Sequence, residues 1–109
     1  MDNKYQAAVD KIKQSGVRFR IVKLLKENPY VMDNLRGLSL WAAVAESLVS
    51  PELEQLVSVG VLRRYAQGPG AIYRYTQEEA MRRYIEQNWA EIEQAIADLR
   101  RADLQSEGE

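Results

Sequence analysis

The chain has 109 residues, of which 46% are hydrophobic and 28% charged, and its formal net charge at pH 7 is −1. These values are ordinary for a single globular domain that forms its own hydrophobic core. The sequence contains no cysteine and no histidine, which excludes disulfides, thiolate or imidazole metal sites and the commonest general base. No run of about 18 apolar residues predicts a membrane span, and the polar N-terminus does not resemble a signal peptide, so we expect a cytoplasmic protein with no membrane partner.

The charges alternate in sign along the chain although they nearly cancel in total. Residues 11–26 hold six bases and no acid, whereas residues 27–60 hold five acids and one base. Residues 61–75 then hold three arginines and no acid, and residues 76–109 hold nine acids and four bases. Because electrostatic steering depends on local patches, the basic segment 61–75 is a candidate contact for an anionic partner.

The first part of the chain predicts two helices, over 3–14 and 17–27, from apolar residues at helical spacing. The second helix ends before Pro29, since the residue that precedes a proline avoids helical geometry. The residues that follow fit either a short strand at 30–32 or a helical turn.

Two shorter helices are predicted next, over 39–48 and 51–59. Ser39 can cap the first, and Ser50 can cap the second with Pro51 at its first position, where a missing N–H costs nothing. The expected buried face of the helix over 39–48 consists of Leu40, Trp41, Val44 and Leu48.

A β-hairpin and a long helix complete the prediction. Strands over 61–65 and 71–75 are rich in β-branched and aromatic residues, and the sequence Gln-Gly-Pro-Gly between them is typical of a turn. Thr76 and Glu79 have the spacing of a capping box at the start of a helix over about 77–102. This helix carries an apolar stripe close to a heptad seam, formed by Met81, Ile85, Trp89, Ile92, Ile96 and Leu99.

Three stretches of sequence resemble the winged helix-turn-helix domains of the ArsR-type and PadR-type bacterial repressors. RFRIVKLL is similar to the first helix of those domains, LVSPELEQLVSVGVLRRY to their second short helix and first wing strand, and AIYRYTQEE to their second wing strand. The resemblance covers roughly residues 17–80. It implies a mostly helical α+β fold, a winged helix-turn-helix with a β-hairpin wing and extra N- and C-terminal helices. It also implies that the wing lies against the DNA backbone and that the helix over 51–59 enters the major groove.

The resemblance divides the chain into four segments. We expect an N-terminal dimerisation helix in 1–16, the winged helix-turn-helix domain in 17–76, a long C-terminal dimerisation helix in 77–104 and a disordered tail in 105–109. The stripe on the long helix continues beyond what a small core can cover, which favours a homodimer. The expected dimerisation residues are Tyr5, Val9, Ile12, Ile85, Trp89, Ile92, Ile96 and Leu99.

The expected function is that of a transcriptional regulator that binds double-stranded DNA without enzymatic activity, metal or cofactor. Arginine suits phosphate because its planar fork donates two hydrogen bonds at once. The candidate DNA-binding residues are Ser50, Glu52, Gln55, Ser58, Arg63, Arg64, Gln67 and Arg74. The helix over 51–59 contains glutamates and no base, so the alternative is a winged-helix module that binds a protein through this acidic helix and does not bind DNA. A regulator that responds to a small-molecule effector bound at the dimer interface is a third hypothesis.

Overall fold

A computed structural model describes residues 3–66 and 70–107 of the chain, with side chains described as far as residue 103. These residues form six helices and three strands. In chain order they are α1 (Lys4–Lys13), α2 (Gly16–Glu27), β1 (Met32–Asn34), α3 (Leu35–Ala42), α4 (Glu46–Ser58), β2 (Leu62–Tyr65), β3 (Ile72–Tyr75), α5 (Glu79–Gln87) and α6 (Trp89–Glu107). The predicted mostly helical winged helix-turn-helix fold is confirmed. No described helix is both long and apolar enough to cross a membrane.

The three strands form one antiparallel sheet in the order β1–β3–β2. In the β2–β3 hairpin, Arg63 lies opposite Arg74 and Arg64 lies opposite Tyr73. Since side chains alternate between the faces of a sheet, Arg63 and Arg74 share one face, and Arg64 and Tyr73 share the other. The register therefore separates the three arginines of the wing into two groups.

The core is formed where α1, α2, α4 and α5 meet the inner face of the sheet. Each of these helices contributes a stripe of buried side chains at helical spacing, as expected for amphipathic helices. The buried residues include Val9 and Ile12 of α1, Ile21, Val22 and Leu25 of α2, Val49, Leu53 and Leu56 of α4, and Met81 and Ile85 of α5. Leu62 and Tyr75 cover this core from the sheet.

The two central helices differ from the prediction in their bounds. α3 begins after Asn34, whose side-chain oxygen accepts the Gly37 amide at 2.9 Å, and Ser39 is buried inside α3 instead of capping it. α4 begins at Glu46 and runs through Ser50 and Pro51. The start signal of the Ser-Pro pair is overridden because Val49, which precedes it, is buried on the same stripe as the next turns of α4.

The single C-terminal helix that the sequence predicts is two helices with a break at Asn88. The Trp89 ring stacks on Phe19 of α2, with ring centroids 5.1 Å apart, so the break turns α6 onto α1 and α2. The predicted capping box is also wrong. Thr76 accepts the Glu78 amide before the helix begins, and Glu79 instead binds Arg83 one turn later. At the other end, α6 continues to Glu107, into the segment expected to be a disordered tail.

Candidate nucleic-acid interface

The exposed face of α4 carries residues that the sequence predicts to contact DNA. Ser50 and Ser58 are exposed and Gln55 is half-buried, so these candidates lie on or beside that face. The Ser58 hydroxyl donates to the carbonyl oxygen of Gln55 at 2.6 Å. The face is small and polar, and it contains no basic side chain.

Glu52 lies away from this face, and its contact with DNA stays a prediction. Its carboxylate binds the Arg18 guanidinium, with Nη2 at 3.2 Å and Nε at 3.3 Å from Oε1, and it also accepts the Ser15 hydroxyl. The two charged side chains are only 13% (Arg18) and 18% (Glu52) exposed. Glu52 lies three residues after Val49 and four before Leu56, both of which are buried. This helical spacing is the sequence pattern that could have predicted Glu52 on the inner side of α4.

Arg64 of the wing is joined to α4 through an ion pair with Glu54. The Arg64 Nη1 lies 2.5 Å from Glu54 Oε2, and the Tyr73 hydroxyl donates to Glu54 Oε1 at 3.1 Å. The hydrogen bond to Glu54 raises the pKa of Arg64. Burial, followed by the bond to Glu54, raises the pKa of Tyr73. Glu54 of α4 thus forms one polar cluster with Arg64 and Tyr73 of the wing. Glu54 was not among the candidate DNA-binding residues predicted from the sequence.

Arg63 and Arg74 lie on the opposite face of the sheet and are not paired with an acid within the described residues. Arg63 is exposed, and its guanidinium lies over the Tyr65 ring at 5.3 Å from the centroid. Arg74 is half-buried, and its Nε is buried without a hydrogen-bond partner in the part of the chain described. Like charges directly opposite each other on neighbouring strands destabilise a sheet, so an anion between these two groups would be favourable. Gln67 lies outside the described residues, and its role stays a prediction.

The helix-turn-helix region exposes leucines that the sequence predicted to be buried. Leu40 of α3 is 74% exposed and Leu48 of α4 is 59% exposed, while Trp41 is also exposed and only Val44 is half-buried. The prediction assumed one continuous helix over 39–48. The chain instead turns at Ala43, which has a left-handed conformation with φ of 58°, so the two leucines belong to different helices. A groove of about 460 Å³ runs between these helices, lined by Arg36, Leu40 and Glu46 among others.

The predicted dimerisation stripe is in large part the core of the single chain. Val9, Ile12, Ile85, Ile92 and Ile96 are buried within one chain, so they offer no surface to a second copy. The break at Asn88 is the reason, because it folds the stripe of α5 and α6 onto the helices of the same chain. Tyr5 and Trp89 are half-buried against that core, and Leu99 remains exposed. Among the described residues, no group of three potential ligands could hold a metal ion.

Comparison with known proteins gives structural similarity without a sequence family. No family model matches the chain, and no curated protein matches its sequence. Five solved chains are similar in fold, among them the following three. The homodimeric winged helix-turn-helix DNA-binding domain of a possible ArsR-family transcriptional regulator from Mycobacterium bovis has a TM-score of 0.60 and 23% identity, over 84% of this chain and 87% of that one.

The other two similar structures are those of ligand-free NadR and of AbfR from Staphylococcus epidermidis. NadR has a TM-score of 0.57 and 16% identity, over 92% of this chain and 70% of that one. AbfR has a TM-score of 0.55 and 15% identity, over 89% of this chain and 62% of that one. The resemblance inferred from the motifs is thereby confirmed at the level of fold: the chain is a winged helix-turn-helix domain.

Proposed function

We propose that this chain is a DNA-binding transcriptional regulator that acts as a homodimer, with the arginines of its wing on DNA phosphates. The observation that carries the proposal is the opposed pair Arg63 and Arg74, which lie side by side on β2 and β3 without an acidic partner in the described residues. Two guanidinium groups at this spacing can donate several charge-assisted hydrogen bonds to one phosphodiester. Binding would offset the repulsion between the two cations.

The distribution of arginines over both faces of the hairpin supports the same reading. A wing that enters a groove meets one phosphate strand on each side, since the minor groove is only about 6 Å wide between its two backbones. Arg63 and Arg74 face one side, and Arg64 faces the other. Arg64 lies on the side that faces α4, where it is paired with Glu54, so Arg63 and Arg74 are the wing arginines that can meet a phosphate without a rearrangement.

The exposed face of α4 is proposed to enter the major groove. Ser50 is exposed and can accept or donate a hydrogen bond at a base edge or a phosphate. Gln55 and Ser58 lie farther along the same helix. Phosphate contacts from the wing would position the domain, and these side chains would discriminate the bases.

Homodimerisation is proposed through the outer part of α6. Residues 97–103 are all exposed, and Leu99 is 41% exposed although it is apolar. The similar domain from Mycobacterium bovis is homodimeric. A twofold dimer would present two wings and two copies of α4 to a pseudo-palindromic site, with half-sites about one helical turn apart.

The rival function is protein binding through α4, and one observation favours it. The two exposed charged residues of α4, Glu46 and Glu54, are acids, and the exposed Leu48 lies on the same helix. Carboxylates are repelled by phosphate, whereas an acidic surface with apolar residues suits a basic protein partner. The two functions differ in their response to nucleic acid and can be separated directly.

The test is a titration of the protein against a labelled random duplex at several salt concentrations. DNA binding predicts a steep loss of affinity with salt, with a logarithmic slope of about −0.9 for each phosphate contacted. The double variant Arg63→Ala/Arg74→Ala should weaken binding to all sequences and make the slope shallower by about two contacts. Arg83→Ala is the matched control, because Arg83 is an exposed arginine of α5 outside the wing. Absence of binding even at ~10 mM salt would reject DNA binding and favour the protein partner.

A further inference from the structure

Glu54 occupies the position that a DNA phosphate would take on Arg64. Its carboxylate accepts both from the guanidinium of Arg64 and from the hydroxyl of Tyr73, which lies directly opposite Arg64 in the hairpin. The pair is accessible to solvent, with 29% of the Arg64 side chain and 47% of the Glu54 side chain exposed. An anion from outside can therefore reach the guanidinium.

A phosphate and this carboxylate compete for the same donors. Bidentate binding of phosphate by arginine requires two N–H groups that point the same way, and Nη1 of Arg64 is engaged with Glu54. A phosphate placed on Arg64 without any movement would also lie beside a negatively charged oxygen. Nε and Nη2 of Arg64 lie outside the bond to Glu54, but DNA gains the whole guanidinium, without a carboxylate beside its phosphate, only after Glu54 has released Arg64.

We propose that Glu54 is a built-in competitor that sets the affinity of the wing for phosphate: the free protein holds Arg64 on the recognition helix, and DNA binding exchanges the carboxylate for a phosphodiester. This inference rests on the proposed DNA-binding function. The Tyr73 hydroxyl makes the exchange feasible, because it remains as a donor to Glu54 after Arg64 has left. The Tyr73 ring is buried, so the hydroxyl stays in place beside the carboxylate.

The two other acids of α4 show that this role belongs to Glu54 alone among them. Glu52 is held in a mostly buried pair with Arg18 and contacts Ser15 as well, so it does not exchange. Glu46 is exposed and forms no ion pair within the described residues. Glu46 therefore carries the same charge on the same helix but binds no arginine, which makes it a matched control.

The experiment compares Glu54→Gln with Glu46→Gln, each in the native background and with Arg64→Ala, by fluorescence anisotropy on a random duplex. Because exposed ion pairs of this kind are weak, Glu54→Gln should raise the affinity only about two- to fivefold at low salt. The gain should disappear in the Arg64→Ala background, because no withheld arginine remains to be released. Glu46→Gln should give the same small effect in both backgrounds.

Each outcome decides the proposal. A gain from Glu54→Gln that persists with Arg64→Ala, or that Glu46→Gln equals, means general repulsion and overturns the competitor role while DNA binding stands. No gain from Glu54→Gln in a protein that binds DNA also overturns it. Failure of all the proteins to bind DNA rejects the proposed function together with this inference. Binding that appears only after Glu54→Gln supports the competitor role most strongly.

Discussion

The ion pair of Arg18 and Glu52 fastens α4 to the turn between α1 and α2, and its removal should destabilise the chain strongly. Replacement of Glu52 by alanine leaves the Nε and Nη2 donors of Arg18 without their acceptor. The Nη1 group keeps its bond of 2.9 Å to the carbonyl oxygen of Lys11. The Arg18 guanidinium would then be mostly buried without a carboxylate, although it would keep hydrogen bonds to neutral acceptors.

The expected loss follows from that burial. Removal of one partner from a fully buried ion pair costs about 3–5 kcal/mol, whereas an exposed pair contributes about 0.2–1 kcal/mol. Because the Arg18–Glu52 pair is mostly buried and Arg18 Nη1 keeps its bonds to Lys11 and Gln14, we expect Glu52→Ala to cost about 2–3 kcal/mol. This corresponds to a fall in Tm of roughly 10–20 °C for a domain of this size. Glu54→Ala removes one partner of an exposed pair, so it should cost far less than Glu52→Ala.

Urea unfolding followed by tryptophan fluorescence, at one protein concentration, measures both variants. The double variant Arg18→Met/Glu52→Leu should recover most of the lost stability, because apolar replacement of both partners leaves no buried charge. If Glu52→Ala is no less stable than Glu54→Ala, then the Arg18–Glu52 pair does not hold α4 in place and this reasoning is refuted.

Three further results are expected. The Tyr75 hydroxyl is buried without a hydrogen-bond partner in the described residues, so Tyr75→Phe should leave stability unchanged or raise it by about 1 kcal/mol. Tyr73→Phe, which removes the bond to Glu54, should lower stability by about 0.5–1.5 kcal/mol. A loss with Tyr75→Phe as large as that with Tyr73→Phe would contradict this reasoning. Burial raises the pKa of Tyr75 to about 12, because the fold favours the neutral phenol. The contribution of Tyr75 to the free energy of unfolding should therefore be complete below pH ~10 and be lost as the pH rises through ~12. In alkaline denaturation, Tyr75→Phe should reduce this loss of stability. Leu99→Glu should convert the proposed dimer to a folded monomer in analytical ultracentrifugation, and a wild-type monomer would disprove the proposed interface.

Local sequence signals predicted the elements that depend on neighbouring residues. The first two helices and the two wing strands were placed to within one or two residues, because helical spacing, the Asn28-Pro29 stop and the β-rich runs act over a few positions. The order of these elements was enough to indicate the winged fold. The basic character of the wing was likewise visible in the sequence.

Pairings between distant residues were outside the reach of those signals. Glu52 and Glu54 are two positions apart and read alike in the sequence, yet one binds Arg18 in the interior and the other binds Arg64 on the wing. The difference arises from which side of α4 faces α2 and which faces the hairpin. That orientation is set by packing of the whole core, so no short window of sequence contains it.

The C-terminal helices show the same division most clearly. The sequence by itself determined that residues 79–87 and the residues after them are helical with an apolar stripe, since spacing alone decides this. Only the tertiary structure decided that the stripe covers its own chain, because the break at Asn88 and the stacking of Trp89 on Phe19 bring α6 onto α2. Burial of a stripe is favourable whichever surface covers it, and the nearer surface belongs to the same chain.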